Sequence, residues 1–199
     1  MMHCYLCSAP LRHQLTWKLL FTSRPEPVVC EKCLRKFERI QDSEQKYEDV
    51  IALYHYNEAM HDYLHQFKFG QDVVLAEVFR SDIATYLKNS SATIVPIPMH
   101  PLKKKERTFA QVDELLRVAS IPYTHCLEKM TTLNQATKSK LEREQTEQLF
   151  SLREDCQMEH IDYLLVDDIV TTGTTLKHAT TLLMEAGARK VTSFTLIQG

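Results

Sequence analysis

The stretch that decides the fold lies near the C-terminus and reads Tyr163-Leu-Leu-Val-Asp-Asp-Ile-Val-Thr-Thr-Gly-Thr-Thr-Leu176. It continues an apolar run over 161–166, broken only by Asp162, which predicts a strand buried on both faces. Two adjacent carboxylates follow, at the point where we expect this strand to leave its sheet. A hydroxyl-rich turn around Gly173 then leads into a helical pattern over 176–185.

A strand, an acidic pair, a hydroxyl–glycine turn and a helix N-terminus together predict an anion site. The first N–H groups of a helix lack partners within it and lie at the positive end of its dipole. The turn suits a phosphate, and the carboxylates suit hydrogen bonds from vicinal hydroxyls such as those of ribose. The alternative is an ordinary strand–turn–helix corner with a capping threonine. The residues predicted to bind these groups are Asp167, Asp168, Thr171, Thr172, Gly173, Thr174 and Thr175.

Composition excludes several other classes of protein. The four glycines, at positions 70, 173, 187 and 199, allow neither a G-x-G-x-x-G fingerprint nor a G-x-x-x-x-G-K-[ST] loop. The formal charge of −2 makes no general case for binding nucleic acid or an anionic membrane. Because the chain lacks an apolar segment of about 18–20 residues and a signal-peptide pattern, we expect a cytoplasmic protein without membrane insertion.

The length of 199 residues leaves room for one full-sized domain and a small appendage. We place the appendage at residues 1–40, a polar linker at 41–48 and an α/β domain at 49–199. Apolar runs that alternate with helical patterns predict a parallel sheet flanked by helices. The expected strands are 49–56, 93–99, 123–130, 161–166 and 190–197, and the expected helices include 34–40, 57–70, 72–87 and 176–185.

Four cysteines of the appendage form two C-x-x-C pairs, Cys4 with Cys7 and Cys30 with Cys33. Four thiolates can hold Zn²⁺ tetrahedrally in a closed structural site, and a hairpin through 15–28 would absorb the long spacer. A site that has lost its metal and a redox pair are the alternatives. His3 and His13 are not needed as ligands.

We expect Cys126 to be a small buried hydrophobe, and Cys156 has no obvious partner.

Residues 164–175 resemble the phosphoribosyl-pyrophosphate (PRPP) signature of type I phosphoribosyltransferases. The resemblance implies the type I phosphoribosyltransferase fold. It also implies that Asp167 and Asp168 hold the ribose hydroxyls, that the loop 171–175 wraps the 5′-phosphate, and that Mg²⁺ accompanies PRPP.

Three further segments are similar to the ComF (ComFC/GntX) family of phosphoribosyltransferase-like competence proteins with an N-terminal Cys4 zinc finger. Residues 63–70 are similar to its Y-K-F-G stretch, and 95–98 match its V-P-I-P segment. Residues 107–111 keep three positions of R-G-F-N-Q but carry Thr108 and Ala110 in place of glycine and asparagine. Residues 148–150, Gln-Leu-Phe, replace the usual ComF ending, in which an arginine and then an asparagine precede G-A-F.

The resemblance implies further contacts with PRPP. Backbone N–H groups near Ile97, Met99 and His100 would face the diphosphate. Residues 131–150 would form the mobile loop that closes over PRPP, or, as the alternative, a surface helix with i,i+4 ion pairs. The basic run 103–107 would attract the diphosphate or a nucleic-acid backbone, or form a solvated loop. The residues implied in these segments are Lys103, Lys105, Arg107, Gln111, Gln135, Lys138 and Arg143.

Three functions are consistent with these patterns. The first is a ComF-type protein of DNA uptake in natural transformation, which binds PRPP and, by resemblance, acts with a ComFA-type helicase/translocase and single-stranded DNA. The second is an active phosphoribosyltransferase of nucleotide metabolism or salvage. The third is a non-catalytic adaptor whose ligand site is vestigial. The sequence contains no obvious general base or nucleophile, and the phosphoribosyl acceptor is unassigned.

Overall fold

The computed structural model describes residues 2–11, 27–130 and 149–199. Within these residues the strands are β1 Val50–His55, β2 Thr93–Pro96, β3 Leu127–Lys129, β4 Phe150–Leu152, β5 Asp162–Val170 and β6 Lys190–Gln198. The α-helices of the same described residues are α1 Glu31–Leu34, α2 Glu58–Phe69, α3 Arg80–Leu87, α4 Pro101–Arg107, α5 Gln111–Val118 and α6 Thr174–Glu185. 3₁₀ helices span Asp42–Glu44 and Val73–Phe79.

The central sheet has four parallel strands in the order β1-β6-β5-β2. This confirms the predicted parallel sheet flanked by helices. Because the strands are parallel, their carboxyl ends meet at one edge, where open α/β sheets bind ligands. The loops that follow β2 and β5 therefore emerge side by side.

Strand β5 is buried on both faces. Val166 packs into the cluster formed with α2, α3 and α5, whereas Tyr163 and Leu165 pack into the cluster that contains α6. The strand is longer than predicted, because the pairing with β6 continues through Asp167 opposite Thr195 to Val170 opposite Gln198. The acidic pair thus belongs to the strand rather than to the turn after it.

The helices after β1 agree with the predicted pattern, with one correction. The side chain of Asn57 accepts a hydrogen bond from Met60 N at 3.0 Å and caps α2, and Gly70 ends the helix. The next apolar stripe begins as the 3₁₀ helix rather than as an α-helix and becomes helical only at Arg80.

The N-terminal region is tied to the core by an aromatic residue. The predicted helix over 34–40 is wrong, because α1 ends at Leu34. Phe37 instead packs in the main core against Tyr54, Tyr63 and Phe79, with ring centroids 5.0–6.2 Å away. Burial of a phenyl ring stabilises this contact more than two exposed helical turns would.

The segment 41–48 lies against the sheet. The side chain of Gln45 donates to Ala52 O at 2.9 Å and accepts from Ala52 N at 3.0 Å. Since β1 is an edge strand, this side-chain amide satisfies backbone groups that would otherwise have no strand partner. The domain limits at 1–40 and 49–199 stay a prediction, but the intervening residues are held in place.

The predicted core strand 123–130 is also corrected. Thr124 N donates to Ile94 O at 2.9 Å, and the chain then leaves the sheet to form β3, which pairs with β4 as an antiparallel ribbon. Cys126 and Cys156 form a disulfide at the base of this ribbon, where the sequence suggested no pairing.

The basic run 103–107 is helical rather than a loop. Pro101 occupies the first turn of α4, and His100 Nδ1 caps the helix by accepting from Leu102 N at 3.2 Å. In the described part of the chain, no helix has the length and apolar character needed to cross a membrane.

Thr108, which ends α4, has a left-handed backbone with φ of 66°. A side chain in this region costs about 1–2 kcal/mol, and a β-branched residue is particularly unfavourable. The position is the one where the ComF pattern has glycine, which adopts this conformation freely.

We therefore expect Thr108→Gly to raise the free energy of unfolding by about 0.5–1 kcal/mol, measured by urea unfolding. The control, Thr108→Ala, keeps a Cβ atom and should gain less. A glycine variant no more stable than the alanine variant would contradict the assigned strain.

Candidate functional site

The acidic pair lies near the carboxyl end of β5. Asp168 is 9% exposed, and its carboxylate forms an ion pair with Lys68 Nζ from the last turn of α2. Asp167 is half-buried, and its Oδ1 accepts a hydrogen bond from Asp168 N at 2.9 Å. Two neighbouring carboxylates are thus held at the ligand-binding edge of the sheet with a lysine against one of them.

The two carboxylates perturb each other. Burial, followed by the charge of Asp168, raises the pKa of Asp167 to about 8, although Lys68 and Lys129 oppose the shift. The pKa of Lys129 is lowered by burial and then by the nearby Lys103, while Asp167 acts in the opposite direction. Lys68 and Lys129, which belong to different elements, therefore lie near the acidic pair, and Lys103 lies near Lys129.

The raised pKa of Asp167 predicts a pH-dependent stability. The folded-state pKa of about 8 exceeds the ordinary value of about 3.9, so the stabilising contribution is complete below about pH 4 and lost as pH rises through about 8. Asp167→Asn stays neutral. Relative to wild type, its free energy of unfolding should increase by on the order of 2 kcal/mol between pH 5 and pH 8.5.

Urea unfolding at both pH values, without ligand, measures this difference. Asp162→Asn at the exposed start of β5 is the control, because the pKa of Asp162 is lowered by its hydrogen bond to Arg189. A difference between Asp167→Asn and wild type that stays constant with pH would show that Asp167 titrates normally.

The predicted anion loop connects β5 to α6. Gly173 has a φ of 73° and caps α6, so the turn needs a left-handed residue at this point. The hydroxyls of Thr172 and Thr174 lie 3.0 Å apart, and both side chains are exposed. Thr171 is also exposed, and Thr175 lies half-buried in the first turn of α6. The loop and the acidic pair therefore form one continuous segment.

Tyr47 supports this loop and was missed by the sequence analysis. Its hydroxyl donates to Thr171 O at 2.6 Å. A Cβ atom on Gly173 would lie 3.3 Å from Tyr47 Cε1, so the glycine also permits close packing of the ring. The only signal was an aromatic residue within the polar segment 41–48, and such a residue has many possible contacts.

Lys68 was also not predicted as a site residue. It belongs to the stretch that resembles Y-K-F-G, but a lysine in the last turn of a helix is equally explained by the helix dipole. Its contact with Asp168 joins residues 100 positions apart, which no local pattern reveals.

The loop after β2 carries the predicted diphosphate contacts. Ile97 N donates to Val166 O at 2.8 Å and extends the sheet, and contact of the N–H groups near it with a diphosphate stays a prediction. His100 uses its ring to cap α4. The roles of the Met99 and His100 N–H groups stay predictions.

The basic residues after this loop lie in different environments. Lys103 lies near Lys129, which in turn is near Asp167, and Lys105 is exposed on α4. The Arg107 guanidinium lies 5.3 Å from the centroid of the Phe69 ring and donates to Gln111 Oε1 at 3.2 Å.

Gln111 is only 1% exposed, and its predicted contact with a ligand stays a prediction. Its Nε2 has no hydrogen-bond partner among the described residues. The remaining predicted contacts, Gln135, Lys138 and Arg143, lie outside the residues that the structure describes, as does the predicted hairpin up to residue 26.

The four N-terminal cysteines form a cluster with all sulfur atoms within 4.8 Å of one another. A tetrahedral zinc with Zn–S bonds of about 2.3 Å places its sulfurs about 3.8 Å apart, and Cys7 and Cys30 Sγ are 3.7 Å apart. Burial acts to raise the pKa of Cys4, but N–H donors led by Cys30 lower it to about 7. The donor set therefore fits Zn²⁺.

Comparison with known proteins agrees with the fold of the main domain. Residues 128–199 match the family model described as "Phosphoribosyl transferase domain". Together with the parallel sheet, this defines a protein of the type I phosphoribosyltransferase class. The chain is 31% identical to the "Competence protein ComFC" of Bacillus subtilis (strain 168) over 227 aligned positions, which cover 98% of this chain and 94% of the relative.

Two further relatives have the same kind of name. The "Competence protein ComFC" of Streptococcus pneumoniae (strain ATCC BAA-255 / R6) is 31% identical over 221 positions, covering 99% of this chain and 100% of the relative. The "Competence protein F" of Haemophilus influenzae (strain ATCC 51907 / DSM 11121 / KW20 / Rd) is 25% identical over 178 positions, covering 81% and 75%. The chain belongs to the ComF family of competence proteins.

Solved structures of phosphoribosyltransferases are more distant. Orotate phosphoribosyltransferase from Aeropyrum pernix is 18% identical, with a TM-score of 0.40 and coverage of 84% of this chain and 80% of that chain. Glutamine PRPP amidotransferase from B. subtilis is 18% identical, with a TM-score of 0.45 and coverage of 67% and 30%.

Proposed function

We propose that this protein binds PRPP, or a related phosphoribosyl compound, and serves DNA uptake in natural competence. The observation that carries the ligand proposal is the continuous segment of Asp167, Asp168 and the loop 171–175 at the carboxyl edge of the sheet. The names of the relatives support the role in competence.

In this proposal each part of PRPP meets groups of suitable chemistry. The ribose hydroxyls donate to Asp167 and Asp168, and the 5′-phosphate accepts from the threonine hydroxyls and the N–H groups that open α6. Lys68, Lys103 and Lys129 offset the charge of the diphosphate. Lys68 neutralises Asp168 in the absence of ligand and would then be shared between the carboxylate and the ligand.

Mg²⁺ is expected to accompany PRPP. It keeps much of its shell from water and phosphate oxygens, so the diphosphate and ribose would supply most ligands. Asp167 and Asp168 are the carboxylates at the site that could complete its coordination or orient its waters. Bound Mg²⁺ would neutralise charge on the diphosphate.

Calorimetric titration with PRPP and Mg²⁺ tests the ligand proposal. Wild type should release or absorb heat on binding, and Asp167→Ala combined with Asp168→Ala should weaken affinity at least tenfold, because the ribose loses two carboxyl acceptors. Asp162→Ala, at the opposite end of β5, is the matched control. Absence of heat from wild type, or an unchanged affinity of the double variant, would overturn the proposal.

Transfer of the phosphoribosyl group is a further step that binding alone does not require. Release of pyrophosphate from PRPP in the presence of purine or pyrimidine bases would identify an active phosphoribosyltransferase. Binding of PRPP without release of pyrophosphate in the presence of any common base would leave PRPP as a bound ligand of a competence protein. If PRPP does not bind, the adaptor function with a vestigial site becomes the better proposal.

We also propose that the cysteine cluster holds a structural Zn²⁺. Cys4 and Cys33 pack with Leu11 and Val29 in a small apolar cluster that also contacts Val78 of the main domain. A closed Cys4 site would stabilise this small core, which is too limited to fold without a metal. The division into a zinc module over 1–40 and a ligand-binding domain over 49–199 is part of this proposal.

Metal analysis of freshly purified protein should give about one zinc per chain. Cys7→Ser with Cys30→Ser should lose the metal and lower the melting temperature, because the small cluster loses its tetrahedral link. His3→Ala, beside the first cysteine, should retain it. Zinc well below one per chain in wild type would reject the site.

The proposed partners are single-stranded DNA and a ComFA-type helicase/translocase. Support comes from family membership and from the exposed lysines of α4, Lys103, Lys104 and Lys105. Lysines on one short helix suit attraction of a polyanion whose binding weakens with salt.

A further inference from the structure

An exposed row of aromatic rings runs along the outer side of α2. Its members are Tyr56, His61, His65 and Phe69, which we call the aromatic row. Successive ring centroids lie 6.4, 6.2 and 5.2 Å apart. The inner side of α2 buries other residues, Met60, Tyr63, Leu64 and Phe67, in the core, so the row is not needed for packing against the sheet.

The aromatic row exposes apolar surface to solvent. Phe69 is 64% exposed and Tyr56 is 45% exposed, and both histidines are exposed. A solvent-facing helix surface is normally polar, and a contiguous exposed aromatic patch indicates an interaction site.

Cationic groups adjoin one end of the row. The Arg107 guanidinium lies over the Phe69 ring at 5.3 Å, and Gln71 Nε2 donates to Glu106 O at 2.9 Å. These contacts join the end of α2 to the end of α4, whose Lys103, Lys104 and Lys105 are exposed. At the other end, Asp62 pairs with His61 at 3.1 Å, and Glu58 begins the helix, so positive charge is concentrated beside Phe69.

We propose that the aromatic row and α4 together form a binding surface for an unpaired nucleic-acid strand. Aromatic rings provide platforms for bases, and adjacent cations attract the phosphates, which is the combination that single-strand-binding proteins use. The rings differ in orientation: Tyr56 and His61 lie edge to face at 88°, whereas the planes of His61 and His65 differ by 31° and those of His65 and Phe69 by 43°. Bases can stack on such rings only when they are not paired within a duplex, which an unpaired strand allows.

The surface adjoins the candidate PRPP site. Lys68, next to Phe69 in the chain, pairs with Asp168. Two consecutive residues of α2 therefore belong to the candidate PRPP site and to the aromatic row. This inference deepens the proposed contact with single-stranded DNA by locating it and rests on that part of the proposed function. It does not depend on PRPP binding.

Fluorescence anisotropy with a labelled thymidine oligomer of about 20 nucleotides tests the surface, with a duplex of equal length as comparison. Phe69→Leu keeps apolar volume but removes the aromatic ring, and it should weaken binding about tenfold. Phe69→Leu with His65→Leu should weaken it further. Phe69→Tyr restores a ring and should bind within about twofold of wild type.

Two matched variants separate stacking from other effects. Met184→Ala removes an exposed apolar side chain outside the proposed surface, 44% exposed near the end of α6, and should bind like wild type. Reversal of charge at Lys103, Lys104 and Lys105 should weaken binding and reduce its dependence on salt. The row variants should keep their calorimetric affinity for PRPP if wild type binds it, which confirms that they are folded.

Three outcomes would overturn the inference. If wild type binds the strand and the row variants bind equally well, the surface is wrong while the strand contact of the proposed function stands. If wild type does not bind the strand, both the proposed surface and the strand contact of the proposed function are wrong, and the PRPP titration is unaffected. If the duplex binds as tightly as the strand, the row does not seat unpaired bases.

Discussion

Two neighbouring carboxylates at the buried end of a strand are the feature on which the candidate ligand site depends. Asp167 and Asp168 remain within the pairing of β5 with β6, so the sheet holds them at fixed positions. This placement is electrostatically unfavourable, as the raised pKa of Asp167 shows. Lysines on α2 and β3 offset part of the cost, and ribose hydroxyls with Mg²⁺ would offset more. Hydroxyl donors and a divalent cation would favour the ionised form of Asp167, which burial and the charge of Asp168 disfavour.

The N-terminal part of the chain contributes to the same site. Phe37 enters the main core, Gln45 completes the exposed edge of β1, and Tyr47 holds the loop through Thr171. The path from the cysteine cluster to the anion loop is therefore a series of packed and hydrogen-bonded residues. Loss of the proposed zinc would therefore disturb a segment that is connected to the support of the loop.

Departures from the ComF pattern have unequal structural consequences. Thr108 keeps the left-handed turn that a glycine would adopt without strain, so the connection between α4 and α5 is preserved. Gln111 keeps its identity and lies buried, where its side-chain oxygen accepts a hydrogen bond from Arg107. Arg107 instead lies over Phe69, where its charge joins the aromatic row to the basic helix. Retention of a motif residue therefore does not by itself establish contact with PRPP.

The sequence by itself determined the parallel sheet, the capped α2, the anion loop and the pairing of cysteines in C-x-x-C motifs. Each depends on residues close together in the chain, where apolar periodicity, a capping asparagine or a left-handed glycine acts locally. Only the tertiary structure decided the ion pair of Lys68 with Asp168, the support of the loop by Tyr47, the disulfide of Cys126 with Cys156 and the departure of 127–129 from the sheet. These contacts join distant segments, and their partners are selected by the packing of the whole domain rather than by local preference.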